Sequence, residues 1–289
     1  MRKFLYYIYA APIYAFTLLP FPLFYFVCDI FYIITYYLVG YRKKVVYTNL
    51  RNAFPEKTEK EIDTIAKRYY HFMIDLFMET FKMLTMTEKQ LLNRVVINDL
   101  SIVEDLKSKN KNYLFVMGHF GNWEWGGQSY QLRHIYEQDV LYHPLKSEFF
   151  EWLMLKVRTR FGIRMVPMNT VLKVMVQNRN KVTSTCFIAD QTPTNIRDAY
   201  WTTFLNQDTP VYFGTEKIAK RFNYPVVFVS IFKERRGYYQ AYLKLICDDS
   251  ASTPDGFITE AHTRLLEEDI KKQPEIWLWS HRRWKHKRT

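Results

Sequence analysis

The residues best suited to chemistry lie in one stretch, Gly118-His119-Phe120-Gly121-Asn122-Trp123-Glu124, which directly follows an apolar run. An imidazole that is oriented by a carboxylate can take a proton from a hydroxyl group and act as a general base. His119 and Glu124 are five positions apart, which on a continuous helix would direct them about 140° away from each other. They can meet only across a turn, which the glycines allow. If they meet, Glu124 would fix the imidazole tautomer. Taken alone, the same residues are also compatible with a structural histidine in a glycine turn.

Neither covalent nor metal-dependent chemistry is indicated. The sequence has no Gly-x-Ser-x-Gly motif, and Cys186 lies inside an apolar run, where a cysteine packs rather than reacts. The 3 cysteines have no paired spacing, which suggests neither disulfides nor a zinc site and fits a reducing compartment. No Gly-x-Gly-x-x-Gly or Walker loop occurs, so the sequence predicts no cofactor.

The segments that must position these residues alternate in type after Asn110. Short apolar runs alternate with helix-like segments, which is typical of an α/β domain whose active-site groups lie at strand ends and in the following loops. We therefore expect a mixed sheet flanked by helices. The predicted strands cover 113–117, 140–142, 183–189, 226–232 and 238–246, and the predicted helices cover 147–160, 170–178, 213–222 and 256–272.

A long amphipathic helix is predicted over 58–84. It begins with Thr58-Glu59-Lys60-Glu61, a capping-box pattern, and continues with apolar residues at helical spacing. His71, Asp75 and Glu79 recur every four positions within it and could form a metal-binding face. Charged residues four apart are also ordinary on a solvated helix face, so we predict no metal site.

The N-terminal segment 4–41 contains a single charged residue, Asp29, and basic residues flank it on both sides. It is too long for a signal-peptide core and lacks a small-residue cleavage site, so we expect it to be retained as a membrane anchor. Residues 23–39 are near the lower length limit for one spanning helix, and 4–19 could lie in the interface or form a second short span. A buried apolar hairpin of a soluble domain is the competing interpretation. The predicted organisation is an anchor over 1–41 and a catalytic domain over 42–289, of which 42–110 is a helical lead-in.

The charge balance points to an anionic partner. The chain has 41 Lys and Arg against 29 Asp and Glu, which gives a net charge of +12. Nucleic acid, acidic lipid headgroups and an acidic protein all fit this surplus. The C-terminal segment 277–288 interleaves tryptophans with cations, a pattern expected at an anionic membrane surface, although it could also contact RNA. Because a membrane anchor accompanies it, we favour lipid and expect no nucleic acid partner.

Several features, taken in order, resemble the late acyltransferases of lipid A biosynthesis, within the lysophospholipid and glycerophosphate acyltransferase group that carries His-x-x-x-x-Asp/Glu. The resemblance runs over nearly the whole chain and is most specific at His119 and Glu124. The matching features are the N-terminal apolar segment and residues 49–56, 118–124, 144–146, 158–162, 189–191 and 274–284.

The resemblance implies a glycerophosphate-acyltransferase-like fold and an enzyme without a covalent intermediate. His119 would be the general base and Glu124 its orienting partner. The family carries a functional arginine near Arg158 or Arg160, which fits a phosphorylated substrate because guanidinium groups bind phosphate bidentately. An aspartate at the position of Asp190 would have a supporting role. The substrate-binding candidates are Asn122, Arg158, Arg160, Arg164, Asp190 and Gln191.

The implied reaction moves a fatty acyl chain from the thioester of acyl carrier protein to a hydroxyl of a membrane-held lipid A precursor. Acyl carrier protein is acidic as a class, which agrees with the net charge of +12. The implied location is the inner membrane, with the catalytic domain facing the cytoplasm. Two alternatives stay open: an acyltransferase for another membrane lipid, such as an amino-acid lipid, glycolipid or lysophospholipid, and a non-enzymatic, basic, membrane-tethered binding protein.

Overall fold

The computed structural model describes residues 2–288, with side chains from Phe4 onward. The helices are α1 (Arg2–Leu18), α2 (Phe21–Ile33), α3 (Lys43–Ala53), α4 (Glu59–Lys82), α5 (Glu88–Arg94), α6 (Ser101–Ser108), α7 (Trp123–Gln131), α8 (Glu148–Arg158), α9 (Val171–Gln177), α10 (Gly214–Phe222) and α11 (Phe257–Lys272). The strands are β1 (Val95–Asn98), β2 (Tyr113–Met117), β3 (Glu137–Tyr142), β4 (Arg164–Pro167), β5 (Thr183–Ile188), β6 (Tyr200–Phe204), β7 (Gln207–Val211), β8 (Val226–Arg235) and β9 (Tyr238–Cys247).

A seven-stranded mixed sheet in the order β1-β9-β8-β2-β5-β3-β4 forms the centre of the protein. The pairs β8–β2, β2–β5, β5–β3 and β3–β4 are parallel, and β8–β9 is antiparallel. β2 lies in the middle, and all of its residues are buried, as expected for a strand covered on both faces. This confirms the predicted α/β fold with a mixed sheet flanked by helices.

The two faces of the sheet have separate cores because side chains alternate along each strand. On β2, Phe115 packs in the cluster that also contains residues of α4 and α7, whereas Leu114 and Val116 pack with residues of α9 and α10. Helices thus cover both faces, and the loops after the parallel strands emerge at one edge, where ligand sites of such sheets form.

The five predicted strands and the five predicted helices are all present, and the capping box of α4 is formed, with the Glu61 side chain bonded to the Thr58 backbone N–H at 2.8 Å. The prediction missed β1, β4 and the β6–β7 hairpin. β1 and β4 have four residues each, too few to show a period, and β7 contains Pro210, which argues against a strand.

The N-terminal apolar segment forms two helices. The second continues through a π-helical turn and gives one apolar helix over Phe21–Val39, long enough by length and composition to cross a membrane. Its mean hydropathy is 1.6, and only 22% of it is buried inside the protein. Most of the segment is therefore not covered by the rest of the chain, contrary to the buried-hairpin interpretation. Residues 4–18 form a shorter apolar helix.

One face of α2 nevertheless packs on the rest of the protein, mainly on α4. Phe24 and Cys28 are fully buried there. Asp29, the single charge of the segment, accepts a hydrogen bond from Arg236 of the β8–β9 turn and lies 2.8 Å from the His71 ring. The face of α4 that carries His71, Asp75 and Glu79 is engaged in ion pairs and hydrogen bonds, because His71 lies beside Asp29 and Asp75 is ion-paired with Arg236 at 2.7 Å.

Candidate active site

His119 and Asp190 form the centre of the candidate site. The parallel register of β2 and β5 places Met117 opposite Ile188, and the two polar residues each follow two positions later. The His119 Nδ1 lies 2.6 Å from Asp190 Oδ1, and the backbone N–H of His119 donates to Asp190 Oδ2 at 2.9 Å. An ionised carboxylate can only accept hydrogen bonds. Nδ1 therefore carries the ring proton, and Nε2 is left as the basic nitrogen.

The Asp190 carboxylate is held ionised although its side chain is only 4% exposed. Burial favours the neutral acid, but the charge and hydrogen bonds of His119 and the indole N–H of Trp277 outweigh it and lower the pKa of Asp190 to about 2. Trp277 Nε1 donates to Asp190 Oδ2 at 2.8 Å. Asp190 is thus an ionised acceptor that orients the ring of His119.

The C-terminal segment holds the loop that carries His119. Trp277 forms an antiparallel bridge with Phe120, and Leu278 N–H donates to the His119 carbonyl at 3.2 Å. Trp277, Trp279 and Arg283 are at most 2% exposed. The prediction of a membrane-surface tail over 277–288 is therefore wrong for its aromatic part, because these rings are packed in the core. Alternation of tryptophan and cations in sequence did not reveal which side chains turn inward.

Gly121 shows why the turn after His119 needs glycine. Its φ is +65°, and a Cβ at this position would lie 1.9 Å from the carbonyl oxygen of Ile231 on β8. The turn therefore runs against the backbone of the neighbouring strand, which only a residue without a side chain permits. This is the turn that the spacing of His119 and Glu124 requires.

Glu124 does not orient His119, contrary to the prediction. It lies in the first turn of α7, and its carboxylate accepts hydrogen bonds from Arg158 Nε at 3.1 Å. Burial opposes the charge of Arg158, but the attraction of Glu124 raises the pKa of that guanidinium. The turn brings both His119 and Glu124 to the same cavity, yet the strand register gives Asp190 the position beside the ring.

Three other predicted binding residues do not line the cavity beside His119. Asn122 is buried, caps α7 by accepting a hydrogen bond from Trp125 N–H at 2.9 Å, and donates to Glu79 at 2.7 Å. Arg160 donates to the Met86 carbonyl at 2.9 Å, and Arg164 is paired with Asp139. Between the two arginines that sequence comparison could not separate, Arg158 faces the cavity and Arg160 does not. The positions of Arg158 and Arg160 in the sequence do not show which of the two guanidinium groups points into the cavity from the end of α8.

A cavity of about 800 Å³ opens beside His119. One face of the sheet forms its floor, since the lining residues of the central strands alternate as i and i+2: Phe115 and Met117 of β2, Cys186 and Ile188 of β5, Val229 and Ile231 of β8, and Ala241 and Leu243 of β9. Glu124, Arg158 and Gln191 add polar groups, and Gln191 Nε2 lies 3.4 Å from His119 Nε2. The cavity thus combines a long apolar surface with a base and a guanidinium.

Sequence reasoning missed Glu79, which lies behind the site. It is fully buried on α4 and accepts hydrogen bonds from Tyr25, Tyr239 and Asn122, each at 2.7 Å. Burial and the nearby charge of Asp75 raise its pKa to about 7, against the effect of these hydrogen bonds. Glu79 joins α2 of the apolar segment to the cap of α7. The four-residue spacing fits a solvated helix face or a metal-binding face, and neither interpretation predicts a buried carboxyl group.

The chain is similar to known proteins over most of its length. The model of the family described as bacterial lipid A biosynthesis acyltransferase matches residues 1–286. The chain belongs to this family. The lipid A biosynthesis lauroyltransferase of Escherichia coli (strain K12) is 23% identical over 250 residues, covering 84% of this chain and 79% of that enzyme. The lipid A biosynthesis palmitoleoyltransferase of the same organism is 20% identical over 246 residues, covering the same shares.

Membership in the lipid A acyltransferase family makes the protein an acyltransferase, as the sequence resemblance implied. In this lipid A acyltransferase, the His-x-x-x-x-Glu block supplies two different groups to one cavity. His119 supplies the basic nitrogen, and Glu124 fixes Arg158 at the wall. The partner of the histidine comes from a separate part of the chain, Asp190.

Proposed function

We propose that this protein transfers a fatty acyl chain from the thioester of acyl carrier protein to a hydroxyl group of a lipid A precursor. The observation that carries the proposal is the position of His119, whose ring lines an 800 Å³ cavity while Asp190 holds its Nδ1. A general base beside a long apolar cavity is what transfer of an acyl chain to an alcohol requires.

In the proposed reaction, His119 Nε2 takes the proton of the acceptor hydroxyl as that oxygen attacks the thioester carbonyl carbon. The resulting oxyanion is stabilised by hydrogen-bond donors at the cavity wall, for which Arg158 and the Gln191 amide are the candidates. When the tetrahedral intermediate collapses, the carbon–sulfur bond breaks and the imidazolium returns its proton to the leaving thiol group. Neither a protein nucleophile nor a cofactor is needed.

The acyl chain would lie along the apolar floor of the cavity. From β2 the lining continues over β8 and β9 to Ile97 of β1. Neighbouring strands are about 4.8 Å apart, so three such steps offer a path of roughly 14 Å. That length suits a medium-length saturated chain bound in extended form, with its carbonyl group next to His119.

The charges support the proposed substrates. A lipid A precursor carries phosphate groups, and Arg158 places a guanidinium on the cavity wall. This guanidinium is also ion-paired with Glu124. The net charge of +12 favours approach of an acidic carrier protein. If charge steers the encounter, donor binding should weaken as ionic strength rises.

We further propose that the protein is bound to the inner membrane through residues 1–41, with residues 42–289 as the catalytic domain on the cytoplasmic side. The helix Phe21–Val39 could span the bilayer. Its outward face carries seven large apolar side chains that are each at least 42% exposed: Phe26, Ile30, Phe31, Ile33, Tyr37, Leu38 and Val39. Water contact with such a face is unfavourable, whereas lipid contact is not.

The experiment is a transfer assay with the full-length protein in detergent–lipid micelles. Radiolabelled acyl chains on acyl carrier protein are offered with a lipid A precursor, and in parallel arms with a lysophospholipid or an ornithine-type amino-acid lipid. We expect transfer to the lipid A precursor, lost by about 10²-fold or more in His119→Asn. That asparagine can still donate a hydrogen bond to Asp190, but it has no basic nitrogen.

His134→Asn is the matched control, because His134 is exposed and has a φ of +54°, which asparagine tolerates. Its activity should equal that of the unmodified protein. Transfer to another acceptor alone would replace the proposed acceptor, and transfer that survives His119→Asn would contradict the proposed mechanism.

A further inference from the structure

A second cavity, much smaller than the first, adjoins Asp190. Its volume is about 10 Å³, and its lining includes Asp190, His262 of α11 and Arg283 of the C-terminal segment. A space of this size holds about one water molecule when polar groups line it. Thr263 is also polar, and the other six lining residues are apolar, so the pocket is a mainly apolar space with four polar side chains at its wall, among them the carboxylate that orients His119.

Arg283 is unusual within this pocket. The residue is 1% exposed, and its Nε and Nη1 have no hydrogen-bond partner among the described residues. A buried guanidinium without a partner is costly, so some group must compensate for it. Burial lowers the pKa of Arg283 to about 10, and the charge of Asp190 acts against this lowering. Arg283 is thus a cation at neutral pH.

The other titratable groups that face Asp190 differ from Arg283 in charge. They come from three elements: His119 after β2, His262 on α11 and His281 in the C-terminal segment. Burial lowers the pKa of both His262 and His281 to about 4, so both are neutral at pH 7. Among these groups, Arg283 supplies the permanent positive charge. The Nε2 of His262 also has no partner among the described residues.

We propose that Arg283 is a positioning residue for the acyl transfer, which balances the charge of Asp190 through one water molecule held in the small cavity. The water accepts a hydrogen bond from the guanidinium, donates to Asp190, and can donate to Nε2 of His262. With its charge balanced in this way, Asp190 orients the His119 ring without drawing a second proton onto it. Arg283 thereby favours the neutral ring, which can act as a base, relative to a protein that lacks this cation. The role in catalysis rests on the proposed function.

Two neutral replacements test the proposal in the full-length protein: Arg283→Met, which is apolar and similar in length, and Arg283→Gln, which keeps polarity. Removal of the cation leaves Asp190 unbalanced and favours the imidazolium form of His119. We expect the acid limb of the pH–kcat profile to move upward by about one pH unit, with KM little changed. Arg283→Lys keeps the charge and should retain the original limb.

Arg282→Met is the matched control, because Arg282 is the neighbouring arginine and is exposed. It removes the same charge from the surface and should leave the limb in place. A purely structural role for Arg283 would lower the rate equally at all pH values in the neutral variants, without moving the limb, and this result would overturn the proposal.

A second readout does not need acyl transfer. NMR of the protein with ¹³C-labelled histidine follows the His119 ring signals with pH, assigned by their loss in His119→Asn. In Arg283→Met or Arg283→Gln the midpoint should be higher by about one pH unit than in the unmodified protein. An unchanged midpoint in a folded neutral variant would refute the role of Arg283. If Arg283→Met shifts the His119 midpoint but the unmodified protein shows no transferase activity, the proposed function is refuted and the role of Arg283 in setting the His119 midpoint is not.

Discussion

Asp190 and His119 follow two neighbouring parallel strands, each two residues beyond the register pair Ile188–Met117, and Asp190 Oδ1 lies 2.6 Å from His119 Nδ1. The pair is separated by 71 positions in the chain. Its geometry depends on the hydrogen-bond ladder of β2 and β5, the most buried part of the sheet, and therefore on one of the stiffest parts of the molecule. The base and its orienting group thus directly follow the ends of two buried strands.

Asp190→Asn should lower kcat by about 10²–10⁴-fold, the range that a positioned general base contributes. Asp190 accepts hydrogen bonds from three donors, the Nδ1–H and backbone N–H of His119 and the indole N–H of Trp277. If the asparagine oxygen faces the last two, its amide group faces Nδ1, and the ring proton moves to Nε2. The rate is measured with saturating substrates. Activity within threefold of the unmodified protein would mean that Asp190 does not set the tautomer.

Glu124→Gln should destabilise the protein by about 2–3 kcal/mol, because it leaves the Arg158 guanidinium, 27% exposed, without its ion-pair partner. The double variant Glu124→Gln/Arg158→Met removes both charges and should recover part of this loss. Chemical denaturation in micelles gives the free energies of unfolding. If Glu124 orients His119 instead, Glu124→Gln would resemble Asp190→Asn in its pH–rate profile, and Arg158→Met would restore no stability.

Asn122→Asp tests the link between α7 and Glu79. Aspartate is ordinarily as good an N-cap as asparagine. Here the Asn122 amide also donates to the buried Glu79 carboxylate at 2.7 Å, and an aspartate would place a second carboxyl group against it. We expect a loss of about 1–3 kcal/mol in the free energy of unfolding, larger than for Asn122→Ser, which caps without a second carboxylate. Equal stability of the two variants would show that only the cap matters.

Substitutions at Ala241 test where the acyl chain lies. Ala241 is 2% exposed on β9 and lines the cavity floor. In the series Ala241→Val, Leu and Phe, the larger side chains should progressively reduce transfer of long acyl chains more than of short ones. The ratio of kcat/KM for a long and a short acyl donor measures this. Tyr242→Phe, on the opposite face of the same strand and 47% exposed, should leave the ratio unchanged. A uniform loss for all chain lengths would place the chain elsewhere.

The buried imidazole of His262 predicts acid sensitivity. Burial lowers the pKa of His262 from 6.5 to about 4, so between these values the unfolded chain binds a proton that the folded protein does not. The unfolding free energy therefore falls as pH decreases from 6.5 to 4, by up to about 1.4 kcal/mol per pH unit. His262→Leu should remove up to this amount from the slope. The other titrating groups, such as Glu79, are present in both proteins, so their contributions cancel when the two slopes of unfolding free energy against pH are subtracted. An identical slope in His262→Leu would contradict the prediction.

Much of the fold could be predicted because its signals are local. Capping residues at Thr58, apolar runs on the central strands and helical periods between them are read within short windows. The partner of His119 could not be found in this way. Glu124 is close in sequence and has the right chemistry, yet the turn at Gly121 and the start of α7 direct it to Arg158. Register between strands is a property of the assembled sheet.

The sequence by itself determined the class of fold, the apolar N-terminal segment, the basic balance and the histidine proposed as the general base, because each depends on residue type or on neighbours along the chain. Only the tertiary structure decided which carboxylate meets that histidine, which arginine reaches the cavity, and that Trp277 and Arg283 are buried behind the site rather than exposed in a tail. These choices depend on contacts between segments far apart in the chain. Packing of the whole sheet and its helices fixes such contacts, and no local pattern encodes them.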